Sequence, residues 1–306
     1  MTSAVAASRQ QALLAAMPWV FVLVWSTGFV AARLAMPHAP PFTFLCWRYA
    51  FSLLAFGLWI WAAKVAWPRG PAQWGHLAVS GVLMHAGYLG GVWAAVRAGI
   101  PAGTVALIVG LQPVLTALWI SGRGQHHVAP MQWLGLALGL GGVALVVWPK
   151  LGMGEVTAFN LGLSLVALVS MTVGTLYQKR HVRAGDVRTA NFVQIAAALV
   201  VSLPLAALEP GTLQWHPDLL LALAWSVLAL SLGGSSLLMM LIQRGAATRV
   251  TSLFYLVPPC TAMMAWLLFG ERMANTGWAG MALCAMGVGL VLRGDGRPDL
   301  AAQGEA

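Results

Sequence analysis

Charge is what this 306-residue sequence most lacks. Asp, Glu, Lys and Arg make up 8% of it, against 59% hydrophobic residues and a mean hydropathy of +0.79. A water-soluble domain carries roughly a quarter charged residues, so a soluble globule is excluded. Cysteine is equally scarce. Cys46, Cys260 and Cys284 are odd in number, sit inside apolar runs and have no C-x-x-C or Cys/His spacing, which excludes a disulfide framework and argues against a metal site. Acidic residues number eight, and none falls in the middle of an apolar run. The seventeen Lys and Arg residues give a net charge of +9, yet they are scattered singly in short connections. No basic stripe or aromatic platform forms, so nucleic acid is not an expected partner, and no cofactor is expected either.

What the sequence has instead is long apolar runs. A helix needs about 20 apolar residues to cross a bilayer core of about 30 Å. Ten runs qualify, at approximately 14–35, 42–63, 74–97, 102–122, 131–148, 159–180, 188–208, 218–242, 249–270 and 276–293. Many of the fifteen Trp lie near run ends (Trp19, Trp67, Trp74, Trp133, Trp148, Trp278), where an amphipathic ring suits the headgroup layer. The first run follows Arg9 and could be read as a signal peptide. It is longer than a usual signal core and has a counterpart later in the chain, so a first span is expected. The polar tail after Leu292 is expected to be disordered, and its Arg-Gly-Asp is read as chance.

Basic residues orient the chain. With the N-terminus in the cytoplasm, the inside segments hold Arg9, Lys64, Arg69, Arg123, Lys179, Arg180, Arg183, Arg188, Arg244, Arg249, Arg293 and Arg297. The outside loops hold only Arg33, Arg97, Lys150 and Arg272. That bias puts both termini in the cytoplasm.

A shift of 145 positions aligns spans 4 and 5 with spans 9 and 10 without a gap. Leu111, Pro113, Thr116 and Ala117 fall on Leu256, Pro258, Thr261 and Ala262, and Trp133, Gly135, Ala137 and Leu138 fall on Trp278, Gly280, Ala282 and Leu283. The same shift places Leu23, Val24 and Thr27 on Leu168, Val169 and Thr172. Each half holds five spans, an odd number, so the second half is inverted relative to the first. The expected fold is therefore an all-α polytopic membrane protein, with ten transmembrane helices as two inverted five-helix repeats. The halves are residues 14–148 and 159–293, with a cytoplasmic segment 1–13, a periplasmic linker 149–158 and a cytoplasmic tail 294–306. Inverted repeats favour transport, with substrate held near the midplane between halves, although repeats also occur in channels.

The segment LLFGERMANTGWAGMALCAMGVGLVL, residues 267–292, resembles the end of an EamA repeat in the drug/metabolite transporter superfamily. FVLVWSTGFVAARLAMPHAPPFTFLCWRYAF resembles the start of one: Trp25-Ser26, an aromatic at Phe29, Pro41, then Arg48 followed by an aromatic. Pro113 and Pro258 match the family's mid-span proline. The first repeat departs from the pattern, with Gln125-His126 where the second has Gly270-Glu271. The resemblance implies an exporter of small metabolites, such as amino acids, in a bacterial-type inner membrane.

Several intramembrane residues are candidates for a binding site. Arg48 lies about seven residues into span 2. A guanidinium at membrane depth costs about 2.5–3.5 kcal/mol, so Arg48 either faces a cavity and attracts an anion or snorkels to the nearby interface. His85 and Tyr88 share a helix face, as a cavity pair or as packing. Trp25, Ser26 and Thr27 lie near mid-span, as does Thr172, and their hydroxyls either line a polar path or bond their own i−4 carbonyls. Gln112-Pro113 and Pro258-Pro259 interrupt helical bonding, as bends with a cavity or as simple kinks, and Tyr255 shares that location. Ser235, in Gly233-Gly234-Ser235-Ser236, is a cavity or packing residue; a serine hydrolase using it would need a partnered base.

The resulting expectation is a carrier working by alternating access on a small-molecule substrate within the lipid bilayer, performing no chemistry. The first alternative is a nucleotide-sugar or lipid-linked sugar carrier of the same superfamily, which needs more cavity cations than Arg48 alone. A membrane enzyme is a distant alternative. No mid-span carboxylate is present to take up a coupling cation, so transport is gradient-driven or coupled through His85. A homo-oligomer is permitted by the glycine-rich spans 5 and 10 and nothing more.

Overall fold

The computed structural model describes residues 2–122, 130–152, 154–183, 185–243, 256–270 and 275–295. All regular structure among them is helical. The helices are α1 (Thr2–Ala35), α2 (Pro41–Ala62), α3 (Pro71–Arg97), α4 (Ala102–Val109), α5 (Gln112–Gly122), α6 (Pro130–Gly152), α7 (Ala158–His181), α8 (Val187–Leu208), α9 (Pro217–Leu241), α10 (Val257–Phe269) and α11 (Asn275–Asp295). Six of them contain stretches long and apolar enough to cross a membrane: Ala16–Ala35, Pro41–Ala62, Pro71–Arg97, Ala158–His181, Val187–Leu208 and Pro217–Leu241. Shorter apolar helices accompany them at Trp133–Trp148 and Val257–Phe269.

Local chemistry sets where these helices begin. Proline has no N–H, and the first turn of a helix leaves that donor unused, so Pro41, Pro71, Pro130 and Pro217 open α2, α3, α6 and α9. Helix α7 starts with a reciprocal cap, in which Asn160 N–H donates to Thr157 Oγ1 and Thr157 N–H to Asn160 Oδ1. Helix α10 stops at Gly270, whose left-handed φ of 63° favours a residue without Cβ. Helix α1 reaches back to Thr2, well ahead of the expected start near residue 14, because nothing before Pro18 breaks its Ala-rich sequence.

Two departures from straight helix concern function. The fourth apolar run is split into α4 and α5 by a turn at Gly110–Leu111. The break thus falls ahead of Gln112-Pro113, because Pro113 is accommodated as the second residue of α5. Pro258 is likewise the second residue of α10, so these helices start 145 positions apart. In addition, α3 and α9 contain π-helical segments, Val82–Gly87 and Ser226–Ser235. The 145-residue shift carries the first into the second.

Helices α6 and α11 approach so closely that glycine is required. A Cβ on Gly142 would meet the carbonyl of Gly280 and the backbone of Cys284, and one on Gly287 would meet the backbones of Gly135 and Gly139. These contacts exchange under the same shift: 142 with 280 becomes 287 with 135, and 142 with 284 becomes 287 with 139. Cys284 Sγ donates to Gly139 O at 3.3 Å.

At one end of the bundle, Glu209 reaches across to α2 and accepts from Phe42 N and Thr43 N, both at 2.9 Å. There Asn160 donates to Ala98 O, and Arg97 donates to Met36 O. At the other end, Gln73 exchanges bonds with the backbone of Arg183, and Trp67 packs on Phe192. The core gathers Phe21, Phe29, Phe44, Tyr49 and Trp93, while Trp61 (80% exposed) and Leu208 (82%) belong to an outer apolar surface suited to lipid.

Candidate functional site

A partly open cavity lies between α1, α2, α3 and α9. Its walls are Trp25, Gly28 and Phe29 from α1, Arg48 from α2, Met84, His85, Tyr88, Leu89, Val92 and Trp93 from α3, and Leu230 and Ser235 from α9. Both π-helical segments contribute, since Met84 and His85 lie in one and Leu230 and Ser235 in the other. A π turn carries an extra residue and weakens the regular ladder, leaving carbonyls for other partners. His85 O takes a bond from Tyr49 Oη at 2.9 Å, and Ser235 Oγ turns back to Leu230 O at 3.4 Å.

Arg48 is the only charged residue among the described residues of this lining. It sits seven residues after Pro41, about 10 Å along α2 at 1.5 Å per residue. Its exposure is 3%, so it does not snorkel to an interface. Its Nε donates to Ser231 Oγ at 3.2 Å, and the guanidinium lies 6.0 Å from the centroid of the Trp93 ring. Among the described residues no carboxylate pairs with it. Trp25 and Tyr88 are nearly parallel, with centroids 6.2 Å apart and planes 7° apart, and form the facing aromatic wall.

Beneath the cavity, away from the Glu209 end, lies a second polar layer. Gln194 Nε2 donates to Ser80 Oγ and to Gln178 Oε1, both at 2.8 Å. Gln178 Nε2 in turn donates to Met239 Sδ at 3.3 Å, and the Gln194 side chain also bonds His85. A Cβ on Gly81 would collide with the Gln194 backbone, so α3 and α8 touch here.

The structure thus brings Trp25, Arg48, His85, Tyr88 and Ser235 to one cavity and places the other expected residues elsewhere. Ser26 bonds Val22 O at 2.7 Å and faces α10, where Thr261 Oγ1 donates to Ser26 O at 3.3 Å. Thr27 bonds Val24 O at 2.5 Å and accepts from Trp225 Nε1. Thr172 bonds Leu168 O, its own preceding turn. Gln112 donates to Thr175 Oγ1 at 3.1 Å, with its Oε1 buried and unpartnered among the described residues. Tyr255 lies outside the described residues. Pro258 lines a separate, largely apolar cavity with Gly110 and Leu111, where the starts of α5 and α10 come together. Pro113 opens α5 beside that break.

Sequence reasoning singled out Gln178 and Gln194 as polar groups towards the cytoplasmic mouth, and missed the π turns and a cluster of His38, His216 and Asp218. The donor atoms of that cluster lie within 4.8 Å of one another. Its imidazoles are stacked at 4.1 Å with planes 11° apart, so their in-plane lone pairs run side by side and do not converge on one ion. His216 Nδ1 already accepts from Asp218 N–H as the cap of α9. The cluster is read as packing.

The chain matches the EamA-like transporter family over residues 12–148 and again over 159–293. It belongs to that family. It is therefore a membrane transporter. A "Probable amino-acid metabolite efflux pump" of Salmonella typhimurium is 23% identical over 277 residues, covering 87% of this chain and 90% of the relative. The Escherichia coli protein of the same name is 23% identical, with 92% and 94% covered. An "Uncharacterized inner membrane transporter YedA" of Escherichia coli is 24% identical, with 89% and 88% covered. A solved structure described as "Crystal structure of protein" aligns with a TM-score of 0.67 at 17% identity, over 90% of this chain and 94% of that one. That likeness concerns the fold alone.

Proposed function

We propose that the protein exports small metabolites of the amino-acid class across an inner membrane, binding their carboxylate at Arg48. The observation that carries this reading is a buried guanidinium on a cavity wall with one hydroxyl acceptor and, among the described residues, no carboxylate partner. Such a group is costly to keep unless a ligand's anion completes it, and a guanidinium accepts a carboxylate through two parallel bonds. The names of the two efflux-pump relatives agree with this cargo class.

The transport cycle is alternating access between two inverted five-helix halves, 14–148 and 159–293, each supplying five of ten spans, with both termini cytoplasmic. Three pairs of features related by the 145-residue shift support that arrangement: the π segments, the helix starts at Gln112 and Val257, and the reciprocal glycine contacts of α6 and α11. The two π segments border the cavity and are weak points of the helix ladder, which suits them to bend between states. In this orientation the glutamine layer closes the cytoplasmic side, and the cavity lies nearer the periplasmic side. No bond of the cargo is made or broken.

Counterflow in proteoliposomes with labelled amino acids, their derivatives and nucleosides tests the reading. Carboxylate-bearing compounds exchange, and Arg48→Ala abolishes that exchange. Exchange of nucleosides in place of carboxylates would overturn it.

A further inference from the structure

We infer that the preferred cargo carries its carboxylate as its only full charge, so that its amine is acylated or absent. This inference rests on the assignment of Arg48 as the carboxylate anchor.

Among the described residues the cavity offers one fixed cation and no anion to neutralise a second. None of its lining residues is acidic. Nor does any of the eight acidic residues of the sequence fall in the middle of an apolar run. Three of them have protein partners. Glu209 caps α2 through Phe42 N and Thr43 N, Asp186 is paired with Arg188, and Asp218 sits with His38 and His216.

A free amino acid seated with its carboxylate on Arg48 brings its ammonium within a few bonds of the guanidinium. That ammonium loses water without meeting an anion, and it feels the like charge of Arg48. Of the aromatic rings in the wall, Trp93 already lies under Arg48 and Trp25 and Tyr88 are stacked on each other, so cation–π contact compensates an ammonium only in part. The other walls, Phe29, Leu89, Val92 and Leu230, are apolar and favour a hydrocarbon or aryl group. Acylation removes the charge on the amine, and the amide still finds His85 or Ser235 as hydrogen-bonding partners. The matching class is N-acylated hydrophobic amino acids and simple aryl or alkyl carboxylic acids.

The test is counterflow by the purified full-length protein with phenylalanine, N-acetylphenylalanine and 3-phenylpropionate at equal concentration. The acylated and deaminated compounds should exchange more efficiently than phenylalanine by on the order of ten-fold, the scale of the penalty for an unpaired buried polar group. Arg48→Lys should keep the preference at a lower rate, and Arg48→Gln should abolish it. Tryptophan-fluorescence titration of the detergent-solubilised wild type reads the same preference without a variant that has to fold. Equal or better handling of phenylalanine overturns the inference and leaves carboxylate recognition standing. Exchange of none of the three while nucleosides move overturns both.

Discussion

Two buried polar layers, one above the other, are built from similarly buried side chains and are finished differently. In the lower layer Gln194 divides its bonds among Ser80, Gln178 and His85, and Gln178 passes the chain on to Met239. Every partner is protein, so the layer joins α3, α7, α8 and α9 at no net loss of hydrogen bonding. In the upper layer Arg48 has five N–H donors and spends one on Ser231 among the described residues. On the proposed function, the difference separates a layer that holds helices together from a layer that awaits a ligand. A closed network can offer a substrate nothing without breaking itself, whereas an incomplete one gains from being occupied.

The most direct way to break that contrast is Arg48→Met. Carboxylate transport should fall by roughly 10- to 100-fold in kcat/KM, the loss of charge-assisted bonds made to cargo. The fold should not suffer in proportion. Removing an uncompensated buried charge is neutral or stabilising by about 1 kcal/mol or more, so the thermal midpoint of the apo protein should hold or rise. A lowered midpoint would place Arg48 with the structural layer.

The lower layer should respond in the opposite sense. Gln194→Met strands Ser80 Oγ and Gln178 Oε1 and should cost about 1–3 kcal/mol in thermal unfolding. Adding Gln178→Met removes one of the stranded groups, so the double variant should lose less than the sum of the singles. Strict additivity would mean that the two glutamines do not form one network.

Much of this was legible before any coordinates. Pro40-Pro41, Gly70-Pro71 and His216-Pro217 mark helix starts because a first turn tolerates a missing N–H, and the apolar run lengths follow from bilayer thickness. Arg48 and His85 were legible as cavity candidates because charge and imidazole are costly in an apolar run. The hydroxyls were ambiguous for a physical reason: Ser26 and Thr172 can each bond their own preceding turn, and they do so. The π segments carry no residue signature, since an inserted residue in the ladder is set by packing against neighbouring helices. Glu209 pairs with residues more than 160 positions away, and no local spacing announces that.

Glu209 offers a satisfied charge against which the Arg48 layer can be sharpened. Its carboxylate holds two donors at the start of α2, where negative charge also suits the helix dipole. Glu209→Ala should cost about 1 kcal/mol in thermal unfolding, as the loss of a helix cap does, while leaving the preference among carboxylates unchanged. A changed preference would extend the cavity's electrostatics to that end of the bundle.

The smallest effect is expected at Asp186, the cap of α8. The hydrogen bond from Arg188 holds this carboxyl below its ordinary range. A carboxyl depressed in the folded state stabilises the fold above its unfolded value of about 3.9, and the contribution is lost as pH falls through the folded value. Asp186 is partly exposed, and solvent screens the pair, so its share is small. Asp186→Asn keeps a capping oxygen and removes the charge, so the midpoint at neutral pH should move by no more than about 1–2 °C. What should change is the slope: the wild type loses stability below about pH 4, and the variant loses less over the same interval. An identical acid profile in both proteins would show that the Asp186–Arg188 pair contributes nothing measurable, leaving Arg48 as the charge whose removal has a functional consequence.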